Sequence, residues 1–136
     1  MKTTYCNALL AALVLSVTSA SFAQPKIPPK YKAEPLEIAQ LPKYCWAQYV
    51  DGAYFGHPIY SIPASCGDYT NHFCSGLVVK MRASNLSKPK SQRREDLRMA
   101  KENFEYTLKY ITPICPIYGD ALAAKTQIEH MQRIIN

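Results

Sequence analysis

Four cysteines constrain this chain most strongly: Cys45, Cys66, Cys74 and Cys115. The fifth, Cys6, lies ahead of an apolar stretch near the N-terminus. In a small exported domain an even set of cysteines usually forms disulfides, whereas a zinc site would need closely spaced Cys and His pairs that this sequence lacks. The sequence therefore predicts two disulfides, no metal site and no cofactor.

The N-terminus has the three parts of a cleavable signal peptide. Lys2 supplies a positive charge, residues 8–17 (ALLAALVLSV) form a short apolar core, and the tripeptide at 21–23 (SFA) has small residues where a signal peptidase reads. The core is shorter than the roughly 18 apolar residues of a membrane-spanning helix. We therefore expect residues 1–23 to be removed, Cys6 with them. The remainder is expected to be periplasmic or secreted, from a Gram-negative bacterium, and without a stable membrane anchor.

Prolines punctuate the segment that follows the expected cleavage point. Residues 24–42 (QPKIPPKYKAEPLEIAQLP) are rich in proline, which fixes φ and biases the preceding residue toward extended conformations. We expect an extended lead over 24–42. Residues 43–136 are long enough for one domain with a modest core, so we expect a single α-helical domain there.

Three apolar stripes at helical spacing define that domain, and no strand pattern of similar quality is present. One helix is predicted at about 71–83, capped by Asp68 or Thr70, and a second at about 92–111 after an N-cap at Ser91. A third is predicted to begin with Pro116 at its first position. The fold class predicted is all-α, a small disulfide-bonded hairpin or bundle. The side chains expected in its core are Phe73, Leu77, Val78, Met81, Leu97, Ala100, Phe104, Leu108, Ile111, Ile117, Ala121, Ala124, Ile128, Met131 and Ile135.

The order of these helices favours one of three possible disulfide pairings. If the first two helices form an antiparallel hairpin, Cys74 at the start of one lies beside Cys115 just past the end of the other. Cys74–Cys115 is then favoured together with Cys45–Cys66, which would close an aromatic loop onto a short helix around Trp46. Two alternatives stay open: Cys45–Cys74 with Cys66–Cys115, and Cys45–Cys115 with Cys66–Cys74.

The second helix resembles the second helix of a tetratricopeptide repeat. In the stretch A-K-E-N-F-E-Y-T-L-K-Y-I-T-P, Ala100 is followed four residues later by Phe104, then by the small Thr107 and by Pro113 after the helix. The resemblance covers about residues 71–136, with the first helix opening this unit and the last helix opening the next. It implies a scaffold that binds proteins or peptides.

Arrangements for catalysis are hard to find in this sequence. His72 has dense polar neighbours, but we expect it to cap or pack near a helix start. No serine lies in a G-x-S-x-G elbow, and Glu102 and Glu105 lie beside lysines as on a solvated helix face. We expect no catalytic residue; the alternative is a small periplasmic enzyme centred on His72. Residues 66–77 (CGDYTNHFCSGL) and 44–46 (YCW) also resemble small exported proteobacterial proteins of no assigned activity.

Partner binding is the function that remains. Between residues 44 and 60 the chain carries more aromatic surface than a core of this size hides, so part of it is expected to form a groove for a protein or peptide. The rings concerned are those of Tyr44, Trp46, Tyr49, Tyr54, Phe55 and Tyr60. Basic residues cluster over 80–101, which favours a partner with an acidic surface. Aromatic rings do not alternate with these cations, which together with export argues against nucleic acid. The partner-binding candidates are Tyr54, Phe55, Tyr60, Arg93 and Arg94.

Overall fold

The structure, a computed structural model, describes residues 31–50, 54 and 56–135, with only the backbone of Asp68. The expected signal peptide, the first part of the expected lead and Phe55 lie outside the described residues. Within them the chain forms helices and no strand, which confirms the all-α prediction. No helix in this part of the chain has the length and apolar character needed to cross a membrane.

Three long helices form the body of the fold. After the short helices α1 (Pro35–Gln40) and α2 (Trp46–Tyr49) come α3 (Asn71–Ser84), α4 (Lys90–Tyr110) and α5 (Tyr118–Ile135). Helix α4 is central, because α3 packs along one side of it and α5 along another. Short 3₁₀ turns cover Lys43–Cys45, Ala64–Cys66 and Asp68–Thr70.

The three apolar stripes face the core as predicted. Leu97, Ala100 and Phe104 of α4 are fully buried between the neighbouring helices. Four expected core side chains are only partly buried and pack against its edge: Leu77, Met81, Leu108 and Met131. The others are buried: Phe73, Val78, Ile111, Ile117, Ala121, Ala124, Ile128 and Ile135.

The helix starts differ from prediction by one or two residues. Helix α4 begins at Lys90 after Pro89, not after Ser91, because the extended backbone of Pro89 already leads into the first turn. Helix α5 begins at Tyr118, beyond Pro116. The Thr70 hydroxyl donates to the Gly67 carbonyl at 3.0 Å and does not cap α3.

Helices α3 and α4 approach closely where Gly76 faces the ring of Phe104. A Cβ atom on Gly76 would lie 2.6 Å from Cε1 of that ring, closer than carbon atoms pack. The ring is fully buried, and its centroid lies 5.9 Å from that of Phe73. It therefore has little room to move, and the absence of a side chain at Gly76 permits the close packing of the two helices.

Two disulfides fasten the N-terminal part of the domain to the helices, and the favoured pairing is wrong. Cys45 bonds to Cys74, and Cys66 bonds to Cys115. This is one of the two pairings that the sequence left open. Cys66, just before the start of α3, occupies the place beside Cys115 that Cys74 was expected to take.

The rotation of α3 about its axis explains the difference. The antiparallel hairpin is present, and both Phe73 and Gly76 contact or face Phe104 on α4. Cys74 follows Phe73 by one residue, which turns its side chain about 100° further round the helix. That rotation directs the sulfur of Cys74 away from α4 and toward Cys45.

Residues 35–40 depart from the extended lead predicted over 24–42, because they form α1. Pro35 lies in the first turn of α1, where its missing N–H has no helical partner to lose. Glu34 and Glu37 form a capping box, in which the Glu34 N–H donates to the Glu37 carboxylate at 2.9 Å. Prolines alone therefore did not determine the conformation of this segment.

The attachment of α1 to α3 is expected to weaken in acid. Arg82 donates two hydrogen bonds of 2.7 Å to the Glu37 carboxylate and one of 2.6 Å to the Lys32 carbonyl. The bond with Arg82 lowers the pKa of Glu37 below its usual 4.5. A lowered pKa stabilises the folded state above the unfolded value, and this contribution is lost as pH falls through the folded value.

We therefore expect amide hydrogen exchange in α1 to be protected at pH 6 and to lose protection below pH 4.5. The free energy of opening α1 should fall by about 1 kcal/mol at most, because water reaches this ion pair and screens it. Glu37→Gln should remove this pH dependence, while Glu102→Gln on α4 should keep it. Equal profiles in the two variants would contradict the assignment.

Candidate functional site

A cleft of about 490 Å³ opens between the loop at 56–64 and the helices that flank it. We call it the loop cleft. Tyr44, Ala47 and Gln48 line one side, and residues of the loop line the other. The start of α3 closes the end with Thr70, Asn71 and Cys74.

Contacts between aromatic rings hold the loop in place. We call Trp46, Tyr54, His57 and Tyr60 the loop cluster. The Tyr60 ring centroid lies 5.7 Å from that of Trp46, 4.4 Å from that of Tyr54 and 5.0 Å from that of His57. The Ala47 N–H also donates to the Tyr60 carbonyl at 3.0 Å. The candidates Tyr54 and Tyr60 thus lie together beside the cleft, half-buried, with part of each ring engaged inside the fold.

Both walls of the loop cleft are covalently fastened. Cys74, which lines the cleft, is bonded to Cys45 just ahead of α2. Cys66, which follows the loop directly, is bonded to Cys115 beyond the end of α4. The shape of the cleft is therefore set before any ligand arrives, which reduces the ordering cost of binding.

The described lining of the loop cleft is mainly apolar. None of its described lining residues is Asp, Glu, Lys or Arg. The Tyr44 hydroxyl donates to Asp120 Oδ2 at 3.0 Å, and burial together with that bond raises the pKa of Tyr44 above its usual 10. Tyr44 is therefore neutral at physiological pH. Such a lining suits an uncharged ligand.

Two amide side chains supply the polar groups of the cleft. Gln48 Nε2 donates to Ser75 Oγ at 3.0 Å, which leaves Oε1 without a bond inside the described part of the chain. Asn71 is exposed, and its amide makes no hydrogen bond to any described residue. A ligand in the cleft would find one acceptor at Gln48 and a donor and an acceptor at Asn71.

A second aromatic surface lies where α3 begins and α4 ends; we call Tyr69, His72, Tyr106 and Tyr110 the tyrosine surface. The ring centroids of Tyr69 and Tyr110 lie 4.5 Å apart, and those of Tyr106 and Tyr110 lie 4.8 Å apart. Tyr69 and Tyr110 remain 48% and 42% exposed. The sequence reasoning missed this surface, although the four-residue step from Tyr106 to Tyr110 on α4 was a readable signal.

His72 lies in the tyrosine surface and does not line the loop cleft. Its Nδ1 lies 2.9 Å from Asn103 Oδ1, and the Asn103 amide donates to the Met99 carbonyl at 2.8 Å. That second bond orients the Asn103 oxygen as an acceptor, so Nδ1 of His72 carries the hydrogen. Its ring lies 4.2 Å from the Tyr106 ring, centroid to centroid. No described carboxylate or hydroxyl is hydrogen-bonded to the His72 ring.

The two arginine candidates lie near the start of α4, beside the end of α3, and neither lines the loop cleft. Arg93 Nε donates to the Ala83 carbonyl at 2.9 Å, and Arg94 donates to the Ile135 carbonyl at 3.2 Å. Both guanidinium groups therefore bind carbonyls near the ends of α3 and α5. The structure does not bring Arg93 and Arg94 together with Tyr54 and Tyr60 in one site.

The remaining observations name no binding site other than the loop cleft among the described residues. The described residues contain no group of three side chains that could hold a metal ion. The two disulfides are compatible with a protein outside the cytoplasm. Comparison with known proteins gives no relative from which a role could be carried over: no family model, no curated protein and no solved structure matches this chain.

Proposed function

We propose that this chain is an exported, non-catalytic interaction module of the bacterial envelope, which holds an uncharged segment of a partner protein in the loop cleft. The observation that carries the proposal is an open, apolar cleft whose described lining offers amides but no charged side chain. Its volume of about 490 Å³ lies within the range of ligand sites. The flanking tyrosine and tryptophan rings are of the kinds enriched at binding hot spots.

The arrangement of the long helices supports the scaffold role that the tetratricopeptide resemblance implies. In such a repeat, neighbouring helices stack in chain order. Here α4 packs between α3 and α5, in that order along the chain. The disulfides take the part that further repeats would play, since they fasten residues outside the helical stack to it.

The contacts of the two arginine candidates favour a partner segment without charge over a partner with an acidic surface. Arg93 and Arg94 each bind a helix-end carbonyl, and neither lines the loop cleft. An acidic partner surface would gain little from the cleft itself. The alternative of an enzyme centred on His72 gains no support from its contacts, which are with an amide and a ring.

Filling the cleft with a large side chain should abolish partner binding. Ala64 is exposed and lines the loop cleft, so the indole of Ala64→Trp should occupy the space that a ligand needs. Ala123 is an exposed alanine on α5, and Ala123→Trp is the matched control. The mature protein and both variants would be incubated with envelope extract, and bound proteins identified by mass spectrometry.

We expect a partner that wild type and Ala123→Trp retain and that Ala64→Trp loses. Titration of that purified partner should show at least a tenfold weaker affinity for Ala64→Trp, with unchanged circular dichroism. Equal affinity for all three proteins would place binding elsewhere and overturn the proposal.

A further inference from the structure

The ends of the three long helices meet at one end of the molecule. Arg93, near the start of α4, donates to the Ala83 carbonyl at the end of α3. Arg94 donates to the Ile135 carbonyl at the end of α5. Asn71, at the start of α3, lines the loop cleft, so the 14 residues of α3, about 20 Å of helix, lie between it and this end.

This end of the molecule carries a net positive charge. Residues 82–94 include five basic residues and no acidic one. Arg133, in the last turn of α5, adds an exposed cation. The carboxylates that border these cations are fewer, and they belong to Glu34, Glu37, Glu95 and Asp96. The excess of positive charge favours an anionic binding partner.

Leu86 projects into water from the turn that joins α3 to α4. The Lys88 N–H donates to the Asn85 carbonyl at 3.2 Å, and the Ser87 N–H donates to Asn85 Oδ1 at 3.0 Å. These bonds hold the turn, and the Leu86 side chain inside it is 79% exposed. Ile134, in the last turn of α5, is 72% exposed. This end therefore presents two large aliphatic side chains together with its cations.

That combination fits an anionic bilayer better than other anionic partners. Single-stranded nucleic acid is bound by aromatic rings that alternate with cations, and residues 82–94 contain no aromatic residue. The hot spots of protein interfaces are enriched in tryptophan, tyrosine and arginine, whereas leucine is under-represented there. At a bilayer, by contrast, basic side chains are attracted to anionic headgroups while aliphatic side chains enter the boundary with the acyl chains.

We infer that the basic end, defined by Leu86, Lys90, Arg93, Arg94 and Ile134, docks reversibly on a bilayer that contains anionic phospholipid. The cations bind lipid phosphates, and Leu86 enters the boundary between headgroups and acyl chains. The basic end and the loop cleft are separate surfaces, so a docked molecule can still hold a partner segment. The inference therefore goes beyond the proposed function and does not depend on it.

Vesicle cosedimentation tests the inference. The mature protein, with both disulfides intact, is mixed with vesicles of phosphatidylcholine alone or with vesicles in which phosphatidylglycerol replaces about a third of the lipid. We expect at least tenfold tighter binding to the anionic vesicles. Raising sodium chloride from about 0.1 M to about 0.5 M should weaken that binding at least tenfold, because salt screens the attraction.

Two charge variants locate the binding surface. Lys90→Glu should weaken binding to the anionic vesicles at least tenfold. Its fold should be kept, because an acidic residue in the first turn of α4 suits the helix dipole, and circular dichroism checks this. Lys109→Glu makes the same charge change about 28 Å further along α4, well beyond the screening length. It should alter the affinity by about twofold at most.

Two leucine variants test the aliphatic contact. Leu86→Ala should weaken binding to the anionic vesicles by about threefold or more, since less apolar surface enters the bilayer. Leu122→Ala removes a side chain that is 49% exposed near the start of α5, and it should have no effect.

Several results would overturn the inference. Equal binding to the two kinds of vesicle, or binding to neither, would do so. Equal losses in Lys90→Glu and Lys109→Glu would show that overall charge, and not the basic end, is responsible. Binding to soluble polyglutamate as tight as to vesicles, with Leu86→Ala unchanged for both, would assign the surface to an acidic protein. Ala64→Trp should bind vesicles as wild type does, and a loss in this variant would place the lipid in the loop cleft instead.

Discussion

Replacing Cys45 and Cys74 together by alanine is expected to lower the free energy of unfolding by about 4 kcal/mol. The bond closes a loop with a sequence separation of 29 residues, and its removal frees the unfolded chain of that constraint. A domain of this size is stable by about 5–15 kcal/mol, so the loss is a large part of the total. Urea unfolding followed by circular dichroism at 222 nm measures it.

The second disulfide provides the matched comparison. Cys66–Cys115 spans 49 residues, for which the same chain-entropy relation gives a slightly larger effect. Chymotryptic cleavage at Tyr60, Tyr69 and Tyr106 places the four cysteines on four peptides, so mass spectrometry without reduction reads the pairing directly. Recovery of Cys45 joined to Cys66 would contradict the structure. A loss below 1 kcal/mol for the Cys45/Cys74 double variant would contradict the stabilising role.

Phe104→Ala is expected to cost about 3–5 kcal/mol, since it removes a fully buried ring from the centre of the fold. The ring packs against Phe73 and fills the place where Gly76 lets α3 approach α4. Little can collapse into the space that it leaves, because helices on both sides of α4 hold their spacing. Denaturant unfolding should show a lower midpoint with an unchanged slope if the native fold is kept.

A double-mutant cycle with Gly76→Ala tests the close contact itself. Alone, Gly76→Ala should destabilise by about 1–3 kcal/mol, because its methyl group overlaps the Phe104 ring. In the Phe104→Ala background the methyl enters the vacated space, and alanine's helix preference of about 1 kcal/mol over glycine should dominate. The two changes should therefore be non-additive by at least 1 kcal/mol. Additivity within 0.5 kcal/mol would show that Gly76 and Phe104 do not compete for space.

The long helices could be predicted because, within each one, the apolar residues recur at the spacing of a helix. The apolar positions of α4, from Leu97 to Phe104, lie three and four residues apart, and only one face of a helix collects them. Their burial follows from the stripe alone, without knowledge of the neighbouring helices. Helix α1 was missed because its capping box, Glu34 with Glu37, is a two-residue signal within a proline-rich segment.

The disulfide pairing and the loop cleft depend on how elements are oriented, which no local pattern records. Adjacent residues of a helix point in directions about 100° apart. A rotation of that size decides whether Cys74 faces α4 or faces Cys45. The tyrosine surface likewise needs Tyr69, from a turn, to meet Tyr110 at the end of α4. Sequence spacing gives the positions of such residues along one element, but their meeting across elements is a property of the tertiary packing.

The interleaved order of the two disulfides has a consequence for biogenesis. A chain exported N-terminus first presents Cys45, Cys66, Cys74 and Cys115 in that order, and an oxidase acting on cysteines as they emerge joins the first two. In the native fold the first bonds to the third and the second to the fourth. Reaching that arrangement from sequential oxidation requires thiol–disulfide exchange, in which a thiolate attacks the misplaced bond. If the chain is exported in this way, we expect its yield to depend on disulfide isomerisation as well as on an oxidant.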